Sequence, residues 1–364
     1  MKILYAIQGT GNGHVARARE IVPILKKKHN IDILISGIQA DMELPFEIKY
    51  RFHGLSFIFG KKGNVDVAET YKKSRLKQLM KDIKSLPLDE YDLVMSDFEP
   101  VSAWACYFAG KHCVSVSHQA AVLNKKSPKA LNFDPVGRAI LRSYAPSTSQ
   151  YGFHFKTYDN NIFTPVIRNE IRLKKPCNLG HYTVYLPAYD DERIIKVLSL
   201  VKDVEWQVFS KHNKQAFRKD KVWIRPINNE EFIESMSKAE GIFCGAGFET
   251  PAEALFLKKK LMVIPMKGQY EQQCNAAALQ QLGVSVIKSL KKKHLQKIID
   301  WVSGDKIIAV NYPDITERIL TDIIDKESEI ASDKKPLSIK KFNFRIFRNA
   351  NFFKKIKKTS FKMF

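Results

Sequence analysis

Apolar positions along the chain come in short runs separated by amphipathic stretches. Ile3–Ile7 reads as a buried strand, Val15–Lys28 as a helix and Ile31–Ser36 as the next strand; Leu93–Ser96 and Val114–Val116 follow later. Apolar runs of strand length alternating with helical periodicity predict a parallel sheet covered by helices on both faces. The second half repeats the logic with strand Tyr182–Leu186 and a helical pattern over Asp191–Val201. Further strand candidates are Glu205–Phe209, Val222–Ile224, Gly241–Phe243 and Leu261–Ile264. Between the halves, Phe163–Arg168 leads into the polar Lys174-Lys175-Pro176, which has the composition of a linker. Two α/β domains are therefore expected, residues 1–165 and 176–330, with a ligand in the cleft at the carboxyl ends of the strands. A length of 364 residues, beyond what one core usually organises, agrees with two domains.

Charge changes this picture at one end. Sixty Lys and Arg against 38 Asp and Glu give +22, an excess that calls for an anionic partner or surface. Residues 331–364 hold eleven basic side chains and one acid, Asp333, so this tail alone supplies +10. Phe342, Ile346, Phe353, Ile356 and Met363 fall near one face at helical spacing, with Lys340, Arg348, Lys354, Lys355, Lys358 and Lys362 mostly opposite. Residues 333–364 are thus expected to lie on an anionic membrane surface. Nucleic acid, the competing partner for basic residues interleaved with aromatics, is not expected, because the amphipathic spacing favours a bilayer. A merely solvated tail fits poorly with its seven Phe. His53–Lys62 mixes Phe, Gly and Lys in a similar way and reads as a second membrane contact or as an acceptor loop.

The five cysteines are scattered with no C-x-x-C pair, which fits a reducing compartment and argues against a structural zinc site. The apolar start Met1–Ile7 is too short for a signal-peptide core, and no run approaches the roughly 18 apolar residues of a membrane-spanning helix. The expected location is cytoplasmic, peripheral on the inner face of the cytoplasmic membrane.

Candidate chemistry sits in two glycine-rich turns. Gly9-Thr10-Gly11-Asn12-Gly13-His14 follows the first strand and opens a helix, where glycines admit a ligand close to the backbone and the helix N-terminus favours negative charge. The spacing is not G-x-G-x-x-G, the second strand ends in Ser36-Gly37 without an acid, and the Gly-Lys-Ser/Thr of a P-loop is absent. His14, on the first helical turn, reads either as a general base facing the cleft or as a loop cap. The second turn runs from Gly241 through Gly245-Ala246-Gly247 to Thr250 and Glu253, and is followed by Val263-Ile264-Pro265 and Gln269-Tyr270-Glu271-Gln272-Gln273-Cys274-Asn275-Ala276. Its backbone amides and the Thr250 hydroxyl at a helix N-terminus suit a diphosphate, and Glu253 is within reach of a vicinal diol such as ribose. Asp190-Asp191 reads as a helix cap.

The whole pattern resembles the nucleotide-sugar glycosyltransferases of the GT-B fold, two Rossmann-like domains facing across a cleft. It is most similar to the family 28-like group, which includes the peptidoglycan-precursor N-acetylglucosaminyltransferase, and it shares the C-terminal signature of the UDP-glycosyltransferases. The likeness runs from Met1 to about residue 325 and is strongest over Gly245–Ala276. It implies transfer of a hexosyl group from a UDP-sugar donor to a hydroxyl acceptor with inversion, and the basic aromatic tail points to a lipid or lipid-linked glycan as that acceptor. Gly245, Ala246, Gly247 and Thr250 would cradle the diphosphate, Glu253 the ribose, and Glu271 with Gln272 the sugar. Gly11 and Gly13 would line the acceptor side and His14 would act as base. Asp97, directly after a strand, would orient the histidine or else cap the next helix. In Ser117-His118-Gln119, Gln119 matches a position near the donor phosphates and His118 is structural or chemical. The resemblance implies no cofactor beyond the donor and no metal, since the Asp-x-Asp metal site of the other main glycosyltransferase architecture does not belong to this fold. The signature often carries His where Gly245 stands and commonly Asp where Glu271 stands.

Overall fold

The computed structural model describes residues 1–37, 44–54, 76–131 and 134–332. The basic tail from residue 333 and residues 55–62 of the aromatic segment therefore lie outside the described residues. Met1–Asp333 forms one compact unit built on two sheets.

The first sheet contains β1 (Lys2–Gln8), β2 (Asn30–Ser36), β3 (Tyr50–Phe52), β4 (Leu93–Asp97), β5 (Cys113–Val116), β6 (Ser149–Phe153) and β7 (Ile162–Phe163). All its pairings are parallel, in the order β3-β2-β1-β4-β5-β6-β7. The second sheet contains β8 (His181–Tyr185), β9 (Glu205–Ser210), β10 (Phe217–Lys219), β11 (Val222–Pro226), β12 (Gly241–Gly245), β13 (Lys260–Ile264) and β14 (Ser285–Val286). Its order is β10-β11-β9-β8-β12-β13-β14, with only β10 antiparallel. The strand residues carry the reason. Ile3 to Ile7 and Val94 to Met95 are buried on both faces, which only helices on both sides of a sheet can achieve.

Among its parallel strands each sheet reverses its order once, between β1 and β4 in the first and between β8 and β12 in the second. At such a switch point the loops leaving adjacent strands diverge to opposite faces and open a crevice at the carboxyl edge. The first helix, Asn12–Lys26, starts three residues earlier than its apolar pattern and packs Val15, Ala18, Ile21, Val22 and Leu25 against the first sheet. One apolar cluster runs through both lobes, from Ile3 and Phe153 to Phe248 and Leu255, so the lobes share a core at the cleft. A second cluster around Trp206, Phe243 and Trp301 fills the far side of the second sheet.

The helix Thr316–Ser332 follows the second lobe in the chain but packs on the first. Glu327 accepts hydrogen bonds from the Tyr151 hydroxyl and His112 Nε2, the latter at 2.6 Å, and all three groups are buried. Among the described residues no helix is long and apolar enough to cross a membrane.

Candidate active site

The switch point of the first sheet places the Gly9–His14 loop, which leaves β1, beside Asp97, which ends β4. Gly9 N–H donates to the Ser36 carbonyl at 2.6 Å, and a Cβ on Gly37 would lie 2.8 Å from the Gly9 carbonyl carbon. Gly11, at φ 87°, takes the left-handed turn that lets the helix begin. His14 is thereby brought to Asp97, with Nδ1 2.9 Å from Asp97 Oδ1. Asp97 does not cap the following helix. That task belongs to Glu99, whose carboxylate accepts from the amides of Val101 and Ser102 at 2.6 Å each. Between them Phe98 adopts φ 56°, uncommon for a residue with a side chain, and its ring stacks on Tyr144 and lies parallel to His14.

Nδ1 also lies 3.1 Å from Arg17 Nη2, but the carboxylate is the nearer partner and can only accept, which sets the proton on Nδ1 and leaves Nε2 as the acceptor. Asp97 is fully buried, and burial alone would raise its carboxyl. Arg17 and His14 outweigh burial and hold it below the ordinary carboxylate range. Arg17 was not among the sequence-derived candidates. Its Nε and Nη2 donate to Asp97 at 3.0 and 2.7 Å, and its Nη1 donates to Glu249 of the opposite lobe. One guanidinium thus joins the carboxylate behind the histidine to the second glycine loop. The signal was present: Arg17 stands one turn after His14 in a buried helical stripe of otherwise apolar residues.

The second lobe presents the other half. After β12, Gly245 and Gly247 leave room, since a Cβ at Gly247 would meet nothing within 4 Å. The Ala246 amide is committed to the Ile264 carbonyl at 3.0 Å, so it is not free for an anion as the loop pattern suggested. The helix Glu249–Phe256 begins without a side-chain cap, leaving its first amides and the half-buried Thr250 at the cleft. Gly13 faces this helix start, where a Cβ would sit 3.6 Å from Glu249 Cγ.

Glu253 departs from its expected place. It is 2% exposed, and its two carboxylate oxygens accept from Arg168 Nε and Nη2 at 2.5 and 2.8 Å. One turn further along the helix than Glu249, it points at the chain between the lobes and pins it, rather than opening toward a ribose. Glu271 Oε2 accepts from Gln119 Nε2 at 2.9 Å, while Gln272 Oε1 accepts from the Met266 amide at 2.9 Å. Gln119 therefore meets Glu271 of the opposite lobe, and its Nε2 also lies 3.4 Å from His14 Nε2.

His118 is structural. Nδ1 lies 2.8 Å from the Phe153 carbonyl, Nε2 lies 2.8 Å from Asn275 Oδ1, and the ring stacks on Phe248 at 3.9 Å. Burial lowers its basicity. Asp190 caps its helix through the Arg193 amide at 2.8 Å. Among the described residues no group of three or more His, Cys, Asp or Glu is placed to hold a metal ion.

Glu249 makes the closed cleft sensitive to pH. Burial pushes its carboxyl up to about 8, against the pull of Arg17 and with help from Asp97, Glu253 and Glu271. A carboxyl with a raised folded pKa holds its proton more tightly folded than unfolded. Its contribution is full below pH 4.5 and is lost as pH rises towards about 8. In urea titrations across this window, the wild-type midpoint is expected to fall relative to that of Glu249→Gln. Parallel midpoints would show that the carboxyl titrates normally.

Residues 1–303 match the sequence model of glycosyl transferase family 1. No relative is found among curated proteins. Solved structures share the fold. A UDP-glucosyltransferase from Polygonum tinctorium aligns with TM-score 0.60 at 11% identity, over 92% of this chain and 99% of its own. MurG of Acinetobacter baumannii gives 0.54 at 15%, over 89% and 99%. The glycosyltransferase SnogD from Streptomyces nogalater gives 0.51 at 12%, over 89% and 99%. The match across both lobes, on two switch-point sheets with their glycine turns face to face, shows that the chain belongs to glycosyl transferase family 1 and is a glycosyltransferase of the GT-B fold.

Proposed function

We propose that this protein moves a hexosyl group from a UDP-sugar to a hydroxyl acceptor, a lipid or lipid-linked sugar, with inversion at the anomeric carbon. The observation that carries the reading is the Asp97–His14 pair, whose Nε2 acceptor stands across the cleft from the uncapped start of the helix Glu249–Phe256. In this reading the acceptor hydroxyl passes its proton to His14 Nε2 as its oxygen bonds to the anomeric carbon. The bond from that carbon to the diphosphate breaks, and UDP leaves. A single displacement inverts the centre. The amides of Glu249 and Thr250, the Thr250 hydroxyl and the open backbone at Gly245 and Gly247 meet the charge on the leaving diphosphate. Glu271 and Gln272 hold the sugar, Gly11 and Gly13 line the acceptor side, and no cofactor beyond the donor is needed. The UDP-sugar assignment draws on the Polygonum tinctorium UDP-glucosyltransferase. The lipid acceptor and the anionic membrane surface draw on the eleven basic residues and seven Phe of residues 331–364.

The test is incubation with a panel of UDP-sugars and a membrane lipid extract, followed by mass spectrometry of lipids and sugars. A lipid gaining one hexosyl unit, with inverted linkage by NMR, is the expected outcome. Epimerised or hydrolysed donor with unmodified lipids would instead identify a nucleotide-sugar epimerase or hydrolase on the same fold. Donor binding without turnover would identify a binding protein.

A further inference from the structure

We propose that Gln119 is a positioning residue that covers the base in the donor-free enzyme and releases it when a sugar occupies Glu271. The inference rests on the proposed transferase reading for what His14 and Glu271 do; the geometry itself is independent of it.

Gln119 lies in the first turn of the helix His118–Leu123, whose start is fixed by Ser117 Oγ accepting from the Ala120 amide at 3.2 Å. The side chain is 4% exposed and spans the cleft. Its amide nitrogen has two hydrogens. One goes to Glu271 Oε2 on the opposite lobe at 2.9 Å, and the other is directed at His14 Nε2 at 3.4 Å. Turning the amide over would set its oxygen against a carboxylate and an imidazole lone pair, both acceptors, so the chemistry of the neighbours fixes its orientation. Because Asp97 takes the Nδ1 proton, the Nε2 lone pair covered by Gln119 is the one a base must use.

The amide oxygen of Gln119 is buried with no hydrogen-bond partner. Native proteins rarely leave such an acceptor unfilled, and where they do, the arrangement is a strained or working one. The resting position therefore satisfies the nitrogen and leaves the oxygen waiting for a donor group such as a sugar hydroxyl. A sugar whose hydroxyls bond Glu271 removes the anchor that holds the amide on His14. The side chain can then turn, its oxygen gains a donor, and Nε2 opens to the acceptor hydroxyl. The base is available only after the donor sugar is in place, which orders the two substrates.

Diethyl pyrocarbonate acylates an unprotonated, accessible imidazole nitrogen, and peptide mass spectrometry separates His14 from the other histidines. The experiment uses the full chain without donor, with melting temperatures confirming that each variant is folded. Gln119→Met keeps the volume and removes the N–H groups, and Glu271→Ala removes the anchor. Each is expected to raise the rate of His14 labelling about fivefold, the change that one ordinary hydrogen bond represents. Glu271→Gln retains an accepting oxygen and should label within about twofold of wild type, well inside one hydrogen bond. Wild-type labelling rates in Gln119→Met, or equal acceleration in Glu271→Gln and Glu271→Ala, would overturn the proposal. Turnover surviving in His14→Ala would remove the base assignment while leaving these labelling rates unaffected, so the two failures are distinguishable.

Discussion

His14→Ala is expected to lower kcat by about 10²- to 10⁴-fold, the usual contribution of a positioned general base. The dissociation constant for UDP-sugar should change far less, because the histidine belongs to the lobe opposite the glycine loop proposed to hold the donor. This split distinguishes transition-state loss from uniform binding loss. The size of the effect follows from how much of the structure serves this one imidazole. Asp97, fully buried at the end of β4, takes Nδ1 at 2.9 Å, and Glu99 relieves Asp97 of capping the next helix. Asp97→Asn should approach the same loss, since an amide can favour the wrong tautomer even with the geometry kept. Single-turnover rates with calorimetric donor binding would check both variants. Near-normal turnover in His14→Ala would dismiss it as the base.

Arg17→Met is expected to cost about 3–5 kcal/mol of stability, the range for removing one partner of a buried ion pair. Asp97 at 0% and Arg17 at 2% side-chain exposure leave no solvent to replace the guanidinium, and Glu249 loses its partner at the same time. Methionine keeps the volume, so the loss reports charge rather than a cavity. Arg17→Lys should rescue little. One ammonium cannot serve two oxygens of Asp97 and one of Glu249 from the positions that three guanidinium nitrogens occupy. Denaturant titration measures the change. A loss below about 1 kcal/mol would place the cluster in the class of weakly coupled surface pairs.

Because Arg17 reaches both lobes, its loss should also loosen the closed cleft. The same lobe-crossing contacts recur at Gln119–Glu271 and His118–Asn275. Most polar contacts named in the site thus join two parts of the chain far apart in sequence, and this separates what was legible from what was not.

The strands and the glycine turns were readable because their causes are local. A fully buried parallel strand needs an apolar run, and Ile3–Ile7 or Leu261–Ile264 supplies one. A chain that must turn sharply at the end of such a strand needs glycine, and Gly11 at φ 87° supplies it. His14 and Asp97 were readable as candidates because each stands where a strand ends. Short or half-exposed strands such as β3 and β10 carry no comparable run and do not stand out from loops.

The partners of each charged side chain were decided only by tertiary structure. Glu249 and Glu253 occupy one helix four residues apart, and only Glu253 stood out in the sequence. In the folded chain, one meets Arg17 across the cleft and the other disappears onto Arg168. Direction on the helix and the packing of the opposite lobe separate them, and neither is encoded in the motif. By itself, the sequence determined two α/β lobes, a glycine turn in each and the histidine that follows the first, because periodicity and backbone stereochemistry act over a few residues. Which carboxylate holds which cation, and which amide meets His14, was decided by the packing of two lobes whose contacting residues lie about a hundred or more positions apart. Coulomb and hydrogen-bond energies depend on distance in space, which spacing along the chain does not supply.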